Sequence, residues 1–221
     1  MFNIKSSTNY NEMLGGLNKA TFFTTLFFFV ALRYFNFIPL IEVDKTLIPP
    51  LKEYQEIIAW GLSFGVIPLI AALGAYFLSH SFEIHNKIAK TIFIRYLWDK
   101  YFIIKPMLER VSSEIKLKDV NIKKAMNELY YPNVKNIDQH YVHLFWRYAL
   151  PFWILFEHSF FVVISILGLL YIYPEHSYLS LIKYNLIIIF ITVLQLLFVT
   201  VQKSKDQAKQ INIDKINDYF N

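Results

Sequence analysis

"YNLIIIFITVLQLLFVTVQ", residues 184–202, decides the fold. It contains no Asp, Glu, Lys or Arg, and as a helix rising 1.5 Å per residue it covers about 28 Å, close to the hydrocarbon thickness of a bilayer. "IIAWGLSFGVIPLIAALGAYFL", 57–78, has the same character, with Pro68 at its middle. Two further stretches qualify with interruptions. "ATFFTTLFFFVALRYFNFIPLI", 20–41, carries Arg33 and closes at Pro39, and a run from about Ala149 to Tyr173 contains Glu157 and His158 side by side. The expected fold is an all-α integral membrane protein: four transmembrane helices, with a helical cytoplasmic insert between the second and third.

Composition agrees. Of 221 residues 55% are hydrophobic, 18% aromatic and only 18% charged, against about 25% charged in soluble domains. Mean hydropathy is +0.35. The net charge of +5 would suggest nucleic acid in a soluble protein. Here the basic residues flank apolar blocks, so topology and anionic lipid headgroups explain them, and no direct nucleic-acid partner is expected. The absence of cysteine excludes disulfides, thiolate nucleophiles and cysteine-ligated metals. The N-terminal stretch lacks a small-residue cleavage site after a short apolar core, so no cleaved signal peptide is expected.

Lys and Arg near the span ends set the orientation. Lys87, Lys90 and Arg95 follow the second span, Arg147 precedes the third, and Lys203, Lys205 and Lys209 follow the fourth. The 42–56 connection offsets Lys45 and Lys52 with Glu42, Asp44, Glu53 and Glu56, and 174–183 holds only Lys183. Both termini and the middle segment are therefore predicted cytoplasmic, in a multi-pass protein of the bacterial inner (plasma) membrane. The chain divides into a cytoplasmic segment 1–19, helices one and two with a short outer loop over 20–78, a cytoplasmic or interfacial helical segment 79–148, helices three and four over 149–202, and a cytoplasmic tail 203–221.

Within 79–148, Ile84, Ile88, Ile92 and Tyr96 recur every four residues and predict a helix up to Lys105, where Pro106 must kink or restart it. A second amphipathic helix over "LKDVNIKKAMNELYY" stops at Pro132-Asn133, and a third runs from "VKNIDQHYVHLFWRY" into span three. About 70 residues of helix build little separate core. They are expected to extend the membrane helices, with "IFIRYLWDKYFII" near the headgroups.

Ionisable groups inside a span mark an ion path, a proton relay or a buried partner. Neighbours on a helix diverge by about 100°, so Glu157 and His158 face different surroundings. They are permeation or gating candidates, against the plainer readings of an interhelical hydrogen bond or an interfacial position. Arg33 is a possible counter-charge, against an arginine that snorkels to the outer surface. Thr192, Gln195, Val199 and Gln202 share one α-helical face, with Asn185 a heptad before Thr192. That stripe either lines a hydrated path or supplies interhelical hydrogen bonds. Gly61 and Gly65, with Ala71 and Ala75, form a small-residue seam for helix packing.

His140 and His143, and His80, Glu83 and His85, are the only groupings that resemble a metal site, and no ligand motif supports them. No catalytic residue, metal or cofactor is expected, and Ser112-Ser113 and the lone tyrosines form no nucleophile–base constellation. In size, span count and basic cytoplasmic insert, the chain resembles the small multi-spanning effector subunits of bacterial antiviral defence systems. That resemblance implies a homo-oligomer that alters membrane permeability on a cytoplasmic signal, with 79–148 as the surface for a protein partner. The alternatives are a membrane anchor for a soluble partner and a small transporter subunit.

Overall fold

Asn9 sets the start of the first helix: its side chain accepts a hydrogen bond from the Glu12 backbone N–H at 3.0 Å, and α1 (Tyr10–Tyr34) follows. The structure, a computed structural model, describes residues 9–42, 44, 54–111 and 115–220. Residues 1–8, Lys45, Lys52 and Glu53 of the predicted outer connection, and Ser112-Ser113 lie outside them. Next come α2 (Gln55–Phe82), α3 (Ile84–Thr91) and α4 (Ile94–Trp98), a π-helical turn over Asp99–Ile104, and α5 (Lys105–Leu108). Short helices α6 (Ile122–Ala125) and α7 (Tyr131–Asn133) flank a second π-helical turn, Met126–Tyr130. The long α8 (Gln139–Ile172) follows. α9 (Leu179–Gln195) passes through a third π-helical turn, Leu196–Thr200, into α10 (Val201–Ala208), and α11 (Ile213–Phe220) is last.

The fold is all-helical, with no strand among the described residues. Four helices are long and apolar enough to cross a membrane: α1, α2, α8 and the α9–α10 rod. They run up, down, up and down, so the start of α1 and the end of α10 lie at the same end of the bundle.

The first helix differs from the predicted 20–41. It begins at 10, because Asn9 caps it, and ends at 34. Asn36 then adopts a left-handed conformation (φ 58°), and Pro39 disfavours helical angles at Ile38. Residues 35–42 run instead beside the start of α2, where the Ser63 hydroxyl donates to the Ile41 carbonyl at 2.5 Å.

Pro68, Ala72, Ala75 and Ser79, at i, i+4, i+7 and i+11, are the buried line of α2, whose main neighbour is α1. Small side chains there let the two backbones approach. Of the predicted seam, Ala75 belongs to this line and Ala71 is one position off it, partly exposed. Gly61 and Gly65 continue the line past Pro68, but a Cβ on either would meet nothing within 4 Å. Gly65→Ala is therefore expected to keep the fold and raise the melting temperature in detergent, the helix gaining about 0.5–1 kcal/mol. A drop of several degrees would place Gly65 in a contact that the single chain does not contain.

The segment 79–148 does build a core, contrary to expectation, and it does so by recruitment. Trp98, Ile104, Met107 and Leu129 pack with Phe145 and Phe152 of α8 and with Ala208, Ile211 and Ile216. The stretch read as a tail is thus a structural part of this cap. Asn212 caps α11, its side chain accepting from the Asp214 N–H at 2.8 Å, which turns Ile216 inward. Gln207 accepts a hydrogen bond from the Tyr130 hydroxyl at 2.9 Å, and Arg110 donates to the Ile211 carbonyl. A smaller cluster, Met13, Leu17 and Leu150, links cap to bundle, and Phe28, Leu32, Val162 and Ile166 begin the core at the far end.

Candidate functional site

Glu157 sits between these cores and is completely buried. Four donor groups converge on its carboxylate. The Thr21 hydroxyl of α1 reaches Oε2 at 2.5 Å, and the Ser79 hydroxyl of α2 lies 2.9 and 3.1 Å from the two oxygens. From α3, the His85 backbone N–H and ring Nδ1 approach Oε1 at 3.3 and 3.0 Å. Ser79 Oγ also lies 2.9 Å from Asn18 Oδ1. One carboxylate thereby ties α8 to α1, α2 and α3, and a carboxylate has acceptor sites for all four.

His85 was grouped in sequence only with His80 and Glu83; the structure makes it the partner of Glu157, a pairing 72 residues apart that no local spacing announces. With its Nδ1 proton directed at Glu157, the neutral ring presents Nε2 as an acceptor, and that atom has no partner. His80 points elsewhere and stacks on Tyr76. Among the described residues, no three of His, Asp and Glu gather as a metal-binding group.

His158 turns the other way, as adjacent helical positions must. Its Nε2 is 2.9 Å from the Tyr184 hydroxyl of α9, and its ring meets Phe28 edge-on. His158 and Tyr184 line an apolar recess of about 800 Å³ walled by Phe27, Phe35 and Leu181.

Arg33 neither pairs with Glu157 nor reaches a surface. It is buried and donates to two backbone carbonyls of α2: Nε to Phe64 O at 3.3 Å, and Nη2 to Ser63 O. The cause is Pro68. Phe64 is its i−4 residue, and a proline has no N–H to bond that carbonyl. Arg33 supplies the missing donor from the neighbouring helix.

The polar stripe is divided. Thr192 is buried and returns its hydroxyl to the Ile188 carbonyl at 2.7 Å, while Gln195 donates to the Tyr148 carbonyl of α8 at 3.2 Å. Gln202 is exposed and bonds Asp206 at 2.8 Å. The π-helical turn between them inserts extra residue length, rotating the inward face onto Thr200, Ser204 and Gln207. An α-helical periodicity could not foresee that.

Below Glu157, at the cap end, a cleft of about 490 Å³ opens among α1, α3, α4 and α8. His85 forms part of its wall, as do Trp98, Trp146 and Trp153. Glu83, between α2 and α3, adopts a left-handed conformation (φ 44°) that a non-glycine residue rarely takes. The Tyr10 hydroxyl and the Asn86 amide hold its carboxylate, donating at 3.2 and 3.1 Å. Arg95 is engaged by Asn86 and by the Tyr131 hydroxyl. Asp99 also lines the cleft; burial pushes its carboxyl up to about 6, with the Arg95 charge acting in the opposite sense. Sequence reasoning missed this cleft. Its one local signal is the crowding of Arg95, Trp98 and Asp99 on consecutive turns.

The YmfE protein family model matches residues 9–221. A protein of Escherichia coli (strain K12) described as "Uncharacterized protein YmfE" is 39% identical, over 96% of this chain and 94% of that one. No solved structure matches. A family match from the cap of α1 to the last helix, together with an alignment covering nearly both chains, places this protein in the YmfE family.

Proposed function

We propose that the protein is a non-enzymatic, homo-oligomeric protein of the bacterial inner membrane, with its cap and both chain termini on the cytoplasmic side. A cytoplasmic signal received at the cap alters membrane permeability, as in the effector subunits that the chain resembles. The observation that carries this reading is the Glu157 junction. A single buried carboxylate joins three other helices, and its partner His85 also forms the wall of the cleft. A ligand that shifts α3 must therefore disturb the packing of α1, α2 and α8 at once, which is the two-state element that a switch requires.

Two further features support it. Thr192 and Gln195 spend their polar groups on backbone carbonyls, so a private path through one subunit has little to line it, and symmetric association supplies the axis instead. Phe93, Tyr96, Leu97 and Tyr101 are exposed on the cap beside Lys100, whose ammonium lies over both tyrosine rings. Such a face suits the headgroup region of a bilayer.

Ion flux through purified protein in liposomes at pH 6 and pH 8, for the wild type and Glu157→Gln, tests the reading. Flux that responds to pH and changes with the substitution is the expected result. Silence in both, with and without cell extract added as trigger and with oligomer state unchanged, would sink it and leave the membrane anchor.

A further inference from the structure

We infer that the cap cleft is a binding site for a small organic cation bearing N–H donors, a primary amine with an apolar body. The inference names the signal of the reading above and rests on that reading for its consequence, but binding is measurable without flux. The cleft's volume, about 490 Å³, falls within the range of small-molecule sites. Its walls are aromatic: Trp98 and Trp153 stack with centroids 6.2 Å apart, and Trp146 stands beside Phe145 at 4.6 Å. Indole faces attract cations and repel anions.

The polar groups around them are mostly acceptors. Glu83 and Asp99 contribute two carboxylates against the single guanidinium of Arg95, whose two terminal nitrogens are already engaged by Asn86 and Tyr131. Among the described residues Asp99 makes no hydrogen bond or salt bridge, unlike Glu83, and it feels only the nearby charge of Arg95, so its carboxylate can receive a ligand. Buried His85 adds an acceptor with no partner, its Nε2. An ammonium satisfies both groups, whereas a carboxylate or phosphate ligand would meet two carboxylates and only a committed arginine.

Among the described residues, Tyr10, Glu83, His85, Arg95 and Tyr131 line the cleft with Asp99, and buried Tyr130 feels its charge from the cap side. Protonation of Asp99 removes the charge that holds the ammonium. Affinity is accordingly expected to fall as the pH drops from 7.5 to 5, through the value of about 6 to which burial raises Asp99.

Three of the four tryptophans line the cleft, and the fourth, Trp60, lies exposed on α2, so a Trp60→Phe background makes fluorescence a report on this site. Titration with phenethylamine at pH 7.5 is expected to change the emission saturably, and phenylacetate to do nothing. Asp99→Asn, isosteric and without internal bonds to break, should weaken phenethylamine at least tenfold at unchanged melting temperature, and Glu83→Gln should weaken it less. Saturation by phenylacetate, no saturable change with phenethylamine, or equal binding by Asp99→Asn would overturn the inference. Amine binding with no change in liposome flux would retain the site and count against the permeability reading; flux without amine binding would do the reverse.

Discussion

Glu157→Ala is expected to be the most damaging single substitution in the bundle, costing about 3–5 kcal/mol, or roughly 10 °C in melting temperature for a chain of this size. Little of the loss is the carboxylate's own contribution. The Thr21 hydroxyl, a backbone N–H and a ring N–H stay behind without an acceptor, while Ser79 keeps Asn18 Oδ1, and each unsatisfied buried donor costs about 1–3 kcal/mol, so partial relaxation must already be assumed. Glu157→Gln keeps one acceptor oxygen and should lose about half as much, because its amide N–H2 confronts groups that themselves donate. His85→Ala, which removes one donor and leaves the carboxylate with the rest, is expected to fall below both. Thermal unfolding in one detergent ranks the three. Equal melting of Glu157→Ala and the wild type would mean that the junction is not formed in solution.

The second large effect lies at the other end of the bundle. Arg33→Met should destabilise by about 2 kcal/mol, since it strips the donor from the carbonyls of Ser63 and Phe64. The sharper expectation concerns Pro68→Ala, which restores an N–H to bond Phe64 within α2. In that background Arg33→Met should cost about 1–2 kcal/mol less than in the wild type. A double-mutant cycle on unfolding free energy reads that coupling directly, and strict additivity would show that Arg33 does not serve the proline gap.

The four long helices were legible because apolar length is a local property, visible in any window about 20 residues wide. The burial of Glu157 was legible for a related reason: lipid offers a carboxylate nothing, so it must face protein. Its partners were not legible, since Thr21, Ser79 and His85 lie 136, 78 and 72 residues away in sequence and carry no motif. Arg33 misled in a more instructive way. A charge invites the search for an opposite charge, whereas here the acceptor is backbone exposed by a proline on another helix. Gln202 was misplaced because periodicity assumes 3.6 residues per turn, and a π-helical turn breaks that assumption without any composition to betray it. The cap core was missed because 79–148 was read alone, when Ile211 and Ile216 belong to its interior.

That last placement has a bearing on biosynthesis. Trp98, Met107 and Leu129 are translated long before Ile211 and Ile216, and α8, α9 and α10 must all be synthesised in the interval. Until then the cap's apolar side stays open, the condition in which unfinished chains are prone to aggregate. The order of synthesis thus makes α11 the closing piece of the cap: a ribosome that stalls before Ile216 releases a chain with its four long helices made and its cap interior still on display.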